Sequence, residues 1–360
     1  MAISKTVLAA QTPIVGIKGE TTFGVGLDDT GTDTTAYRQL PVMQANRPTF
    51  EIIRESRLLS GQGSMKHAAD TFSTPKGGTV TMPFDFWATP KLLPQFLALV
   101  GQQHSESAST LHQTVFDSTS NYTVLGDTIS GGLPQSVNIS YYPKAAHGIK
   151  VCGAMVSDLT LAISSGSNGN NLSMSGNFYS GHSNHLSTST TIEQTVDTTL
   201  WVAPETTYFN LGNLLTRTLE VEGALQDMVM KDFSLNIANG AVRGGSDANG
   251  NAETINLPEF TITGSMSVKY DAEIDYSSGT NVLEDFLDGD TLSLQLIWGA
   301  GNDAAGEMQI DAEIQYTGLP DQDISESGIF HTLPFECVFN KGVAEALKIQ
   351  VFNGESIAVW

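Results

Sequence analysis

The sequence predicts a mainly β protein built from two similar sandwich- or barrel-like units, each with a short flanking α-helix. Three observations lead there. Apolar and polar residues alternate at period two through several segments, the signature of half-buried strands. Only 16% of the 360 residues are charged, against 40% hydrophobic and 35 glycines, which favours strands and turns over helices. One order of elements also occurs twice: strand, long polar loop, strand, short helix, hairpin.

Residues 1–45 are Gly- and Thr-rich with little periodicity and read as an extended arm with one strand. The first unit, 46–185, opens with a strand over Thr49–Ser56 and a polar loop, Arg57–Gly77. In Gly78–Trp87, Val80, Met82, Phe84 and Phe86 alternate with Thr79, Thr81, Pro83 and Asp85. Pro83 falls on the opposite face and points to an edge or a strand margin. A helix follows over Lys91–Val100, with Thr89 as N-cap, Pro90 at the first position and Gly101 as stop. Strands near Ser136–Tyr142 and Val151–Ser164 come next, the second turning through Ser165–Asn170 into Asn171–Tyr179.

The Ser/Thr-rich stretch 186–222 reads as a linker, with the second unit at 223–347 and a tail at 348–360. Strand Met228–Ala238, polar loop Asn239–Asn256 and the long alternation Phe260–Tyr276 repeat the order of the first unit. A helix, Asn281–Leu287, ends at Gly289. Strands follow at Leu292–Trp298, Met308–Thr317 and Phe330–Phe339, with the turn-rich Gly318–Gly328 between the last two. Because the two copies share little identity, the alternative is chance repetition in a β-rich chain.

No catalytic constellation emerges, and no cofactor or metal is expected. His182 and His185 form H-x-x-H in a Gly/Ser/Asn loop, where convergence on a metal is a chance match. Asp247–Asn251 departs from a calcium loop, with its glycine too early and Pro258 where a bidentate Glu belongs. Gly61–Gly63 and Gly244–Gly245 follow no strand-to-helix crossover, so no phosphate cradle is expected. Cys152 and Cys337 sit in apolar contexts and read as buried free thiols, with a disulfide as the alternative. The sequence contains no apolar run of membrane-spanning length and no secretory h-region, so a soluble protein made in a reducing cytoplasm is expected.

The formal net charge is -22, divided as -3 over residues 1–200 and -19 over residues 201–360. Such a chain does not grip nucleic-acid phosphates, which takes clustered Lys and Arg. Its acidic residues fall in two alternating rows, Asp271, Glu273 and Asp275 on one predicted strand, Asp311 and Glu313 on another. Each row is either a solvated face or one side of a channel shared by several subunits.

Several segments resemble the tail tube proteins of long-tailed bacteriophages. They are Lys18–Gly24 (KGETTFG), Arg54–Gly63, Gly77–Gly101 (GGTVTMPFDFWATPKLLPQFLALVG), Gly148–Gly181, Lys231–Asn239 (KDFSLNIAN) and Phe260–Asp271 (FTITGSMSVKYD). The resemblance implies a structural virion protein of the phage tail. Its inner strands would join those of neighbours into a β-barrel ring, and rings would stack head-to-tail into a hollow tube through which DNA is ejected. It implies three chains per ring if each carries two units, six if one; two units point to three. It also implies tail terminator, distal tail and tape-measure proteins as partners, with no specific DNA binding and no membrane. On this reading Asp271, Glu273, Asp275, Asp311 and Glu313 are lumen candidates. Arg57, Lys66, His67, Asp70, Arg243, Asp247 and Asn249, in the two polar loops, are candidates for contacts with the next ring. The alternative is a carbohydrate-binding or adhesion module using Tyr141, Tyr142 and Trp201. A hydrolase on a β scaffold has little support, while a contractile-tail tube or capsid decoration protein lies close to the tail tube expectation.

Overall fold

The computed structural model describes residues 14–20, 37–40, 46–56, 71–100, 103–107, 111–117, 136–142, 149–166, 170–181, 196–197, 208–221, 223–245, 252, 254–269, 282–301, 303–319, 321–325, 328–339 and 345–353. In chain order the described elements begin with β1 (Ile14–Gly19), β2 (Tyr37–Leu40), β3 (Thr49–Ser56), β4 (Thr71–Trp87) and α1 (Leu93–Val100). They continue with β5 (Gln103–Ser107), β6 (Leu111–Asp117), β7 (Val137–Tyr142), β8 (Ile149–Ser164), β9 (Ser173–Ser180) and β10 (Val196–Asp197). The second half holds β11 (Leu214–Val221), β12 (Ala224–Asp227), β13 (Met230–Ala238), β14 (Val242–Gly244), β15 (Thr254–Asn256) and β16 (Thr261–Lys269). It closes with α2 (Val282–Asp288), β17 (Leu292–Trp298), β18 (Glu307–Tyr316), β19 (Asp321–Ser325), β20 (Gly328–Cys337) and β21 (Glu345–Phe352).

Eight strands lie side by side in the order β3-β4-β9-β8-β13-β16-β20-β19, each antiparallel to the next. This order is one four-strand pattern read twice. In each half the opening strand pairs with the strand after the polar loop. That strand pairs with the second strand of a hairpin, whose first strand comes last. The two patterns meet at a seam between β8 and β13, where Ser164 stands opposite Asp232 and Asp158 opposite Ala238.

A second layer runs β12-β11-β17-β18-β21-β6-β5. The end of β18 also pairs with β20, Tyr316 opposite Phe335, so the layers join at a corner. A smaller group, β10-β2-β1-β7, attaches to the first part of β8. Among the described residues no barrel closes: β3 pairs only with β4, and β19 only with β20.

Both layers turn alternate apolar side chains onto one hydrophobic cluster. Leu161, Leu235, Met266 and Leu333 supply it from the eight-stranded sheet, and Leu294, Ile310, Ile314 and Ile349 from the second layer. Helix α1 packs between β8 and the β5–β6 hairpin. Its Phe96 meets Phe84 at 4.9 Å and Phe86 at 5.1 Å between ring centroids, tilted pairs of the favoured kind. The helix starts where expected: the Thr89 hydroxyl accepts from the Leu92 amide at 3.2 Å, and the Leu93 amide donates to the Thr89 carbonyl. Gly289 ends α2 with φ +70°, its amide bonded to the Asp285 carbonyl.

The structure amends several expectations. The arm contributes two strands, and β1 is built into the fold along the whole of β7. The Glu20 carboxylate fixes its end, accepting from the Ser136 hydroxyl and the Gly153 amide at 2.6 Å each. Strand β4 begins at Thr71, because Thr71–Ser73 pair with Arg54–Ser56 and shorten the polar loop. The second polar loop contains a hairpin, β14–β15, folded back onto the first half through the Ala252 amide and the Gly181 carbonyl. The stretch read as linker contains β11, which pairs with β17, and the stretch read as tail contains most of β21. Pro83 does lie where β4 has lost one neighbour: β3 starts opposite Thr81, so no partner waits for the missing donor. Both cysteines are free thiols, Cys152 buried and Cys337 half-buried.

Candidate functional surface

Because the two layers share one core, their polar faces look away from each other. The eight-stranded sheet carries a polar face dominated by Ser, Thr and Asn. In β9, Ser173, Ser175 and Asn177 occupy it, while Met174 and Phe178 point to the core. In β16, Thr261, Thr263 and Ser265 do the same against Ile262, Met266 and Val268. Of the carboxylates on this face, Glu51, Asp158 and Asp232 are engaged by neutral donors, while Glu336 is exposed. Asp158 accepts from Asn177 at 3.1 Å and from Ser157 at 2.9 Å; Glu51 accepts from Thr79 at 3.3 Å. Burial raises the Asp85 carboxyl above its ordinary range.

At the seam the two halves are stitched across this face. The Asn236 amide donates to the Thr160 hydroxyl, and the Ser164 hydroxyl to the Asp232 carboxylate. A shallow depression of about 280 Å³ lies over the seam, lined by Ser164, Ser173, Asp232, Ser234 and Ser265 among others. Its hydroxyls include no histidine or lysine that could act as a base toward them. Among the described residues no group of three or more His, Cys, Asp and Glu is placed to hold a metal ion.

Among the described residues the sheet's two outer strands, β3 and β19, pair with no further strand. Thr49 and Glu51 of β3 are exposed, and on β19 Ile324 is 72% exposed. An unpaired strand edge is a template for pairing with another chain.

The acidic residues singled out from sequence are placed as follows. Asp311 and Glu313 lie on β18, on the polar face of the second layer. Asp311 is ion-paired to Lys348 at 3.3 Å and accepts from Gln295 and Gln309; Glu313 accepts from Ser293 at 3.1 Å. Asp271, Glu273 and Asp275 lie outside the described residues, as do Arg57, Lys66, His67, Asp70, Asp247 and Asn249, and the His182 and His185 pair. Arg243 is on β14, half-buried, its guanidinium donating to the Gly245 carbonyl; burial raises the neighbouring Tyr179 hydroxyl above its ordinary value, and Arg243 offsets part of that rise. Of the aromatic residues a saccharide site would need, Tyr141 is buried, 7% exposed, and Trp201 is outside the described residues.

The Ser/Thr/Asn face was not singled out from sequence. Its signal was present in the alternation of Ser173, Ser175 and Asn177, and of Asp232, Ser234 and Asn236. The fact that the two segments share one sheet was not.

No helix among the described residues is long and apolar enough to cross a membrane. No curated protein matches the sequence. The family model for phage tail tube proteins matches residues 14–337, from the first residue of β1 to the last of β20. With nine-tenths of the sequence inside that match, the chain belongs to the phage tail tube protein family and is a structural protein of the virion tail.

Proposed function

We propose that three copies of this chain form a ring whose inner wall is the eight-stranded sheet, with its Ser/Thr/Asn face toward the bore, and that rings stack head-to-tail into the tail tube. The observation that carries this reading is the twice-read four-strand order, which ends in two open edges and presents one polar face.

Strand spacing supports three copies. At about 4.8 Å per strand, 24 untilted strands close a circle about 37 Å across, and 16 close one about 24 Å across. Side chains take up roughly 5 Å on each side, half of the spacing between packed sheets. Three chains then leave about 27 Å, enough for a duplex roughly 20 Å wide, and two leave about 14 Å. Tilt of the usual barrel size widens both circles by up to about 1.4-fold, which still leaves two chains marginal.

The polar face suits passage of DNA. Duplex DNA carries one negative charge per roughly 1.7 Å, and binding minima arise where cations cluster against it. Hydroxyls and amides dominate this face, and its cations, Lys269 and the Lys231 that lies over the Phe330 ring, sit together at one end of it, so the duplex meets no row of binding minima along the bore. Asp311 and Glu313, engaged on the other layer, are then part of the outer wall; Asp271, Glu273 and Asp275 remain lumen candidates. Arg243, with Arg57, Lys66, His67, Asp70, Asp247 and Asn249, remains a candidate for contacts between rings. The protein works by assembly, without catalysis, together with the terminator, distal tail and tape-measure components.

Electron microscopy of the purified chain at rising concentration, with preformed tail tips added as initiator, tests this. Stacked rings of threefold symmetry with a bore wider than the duplex are expected. Single particles under every condition, or rings of six chains, would overturn the proposed assembly.

A further inference from the structure

We propose that the β14–β15 hairpin is a hinged flap, seated on the bore face of the sheet in the free chain and swung off it, toward the next ring, when the chain enters the tube. This rests on the tube reading and adds a movement that the width of the bore demands.

Along β9 the polar face continues past Ser173, Ser175 and Asn177 to Tyr179, which stands between Thr81 of β4 and Met155 of β8. Thr81 is exposed, but Met155 is fully buried and Tyr179 half-buried. What covers them is the hairpin segment. Ala241, Ile255 and Leu257 pack with Met155 and Tyr179 in a small cluster apart from the main core. The Arg243 backbone amide donates to the Tyr179 hydroxyl, and the Ala252 amide to the Gly181 carbonyl. The hairpin therefore lies across one end of the face that the proposed ring turns inward.

A ring that keeps it there has little room for a duplex. A second layer sits about 10 Å inside the wall and its side chains reach about 5 Å farther, so hairpins around the bore take about 30 Å from the diameter. A wall of 24 untilted strands, about 37 Å across, keeps about 7 Å; at the largest usual tilt, about 52 Å across, it keeps about 22 Å. The duplex alone is roughly 20 Å wide. The attachment is of a kind that releases. Strands β14 and β15 pair with each other over three residues and with no strand of the large sheet. Segments held by one small cluster and a few backbone donors are the ones that open locally. Below the hairpin the anchor is firm: Asn239, fully buried, donates from its side chain to the Val100 and Val156 carbonyls at 2.7 Å each. Gly240, exposed and without a side chain, follows as the hinge. Swung about it, the hairpin extends past the end of β13, where the next ring docks.

The test combines Met155→Cys with Ile255→Cys, a pair that can close only while the hairpin is seated. Oxidation of the free chain should give this disulfide, read by peptide mass so that any pairing with Cys152 is told apart. Oxidation of tubes assembled under reductant should give none. Chains stapled before assembly should build no tube that conducts DNA until reductant is added. The unmodified chain supplies a second measurement: Met155 should resist dilute peroxide in the free chain and become its sulfoxide in tubes. Tubes that form the disulfide as readily as free chains, stapled tubes that conduct DNA unaided, or tubes that keep Met155 reduced would each overturn the flap and leave the tube reading standing. An unmodified chain that forms no tube would overturn both.

Discussion

The Asn236 side-chain amide donates to the Thr160 hydroxyl at 2.8 Å, across the seam where the two halves of the chain meet. This bond is half-buried and neutral, so Asn236→Ala should lower stability by about 0.5–1.5 kcal/mol and leave assembly intact. Urea unfolding of the variant, paired with Thr160→Ala and the double variant, checks it. Losses that simply add would mean that the two side chains are not coupled.

Glu20 is a buried carboxylate holding two donors, Ser136 just before β7 and Gly153 in β8. Glu20→Ala orphans the Gly153 amide and the Ser136 hydroxyl, at a cost of about 2–4 kcal/mol. Limited proteolysis should then cut within the first 45 residues well before the remainder of the chain. An unchanged cleavage pattern would mean that the strand ladders to β2 and β7 hold β1 without Glu20.

Gly176 of β9 stands opposite Leu159, beside the bulge in the neighbouring strand β8. A Cβ there would stand 2.0 Å from the Asp158 carbonyl oxygen and 2.9 Å from the Phe84 ring. The first neighbour is backbone and cannot swing aside, so Gly176→Ala should cost about 1–3 kcal/mol or more. Gly166→Ala is a useful contrast, since nothing lies within 4 Å and only its φ of +84° is strained. The yield of soluble, cooperatively unfolding protein should fall further for Gly176→Ala.

His331 is buried on the core side of β20, and burial lowers its imidazole below the ordinary value of 6.5. Below that value the unfolded chain takes up a proton that the folded chain refuses. The stability associated with this group is therefore present above pH 6.5 and lost as pH falls toward the depressed folded value. Replacing His331 with Leu should flatten this part of the stability profile between pH 7.5 and pH 5. If denaturation midpoints of the two proteins fall in parallel, the imidazole is not responsible.

Thr81 and Thr263 are exposed on the polar face of the eight-stranded sheet. Thr81→Lys with Thr263→Lys places six cations around the bore of a three-chain ring, repeated in every ring. Virions carrying the variant should assemble and release DNA more slowly, with recovery at high salt as phosphate contacts are screened. Release at the parental rate would indicate that this face does not line the bore.

Much of the local structure was legible in the sequence because its causes are local. The alternation of Val80, Met82, Phe84 and Phe86 fixes a half-buried strand, and Thr89 with Pro90 fixes a helix start, since each depends on residues a few positions away. The place of β1 was not legible. Its partner is β7, with Ile17 opposite Ile139, and nothing short-range encodes a pairing over such a distance. The polar face was obscured for a related reason. Asp311 and Glu313 stand out because charge is conspicuous, but which layer a strand joins depends on its neighbours: β17 and β21 place β18 opposite the eight-stranded sheet.

One consequence follows from the seam being internal. Two wall segments joined by a covalent tether face each other at millimolar effective concentration, whatever the supply of free chains. In the proposed three-chain ring, three encounters would suffice where six separate units would need six. The fusion also frees the two segments to diverge. In the proposed ring the β14–β15 hairpin would recur three times, giving a neighbouring ring three equivalent seats in which to dock.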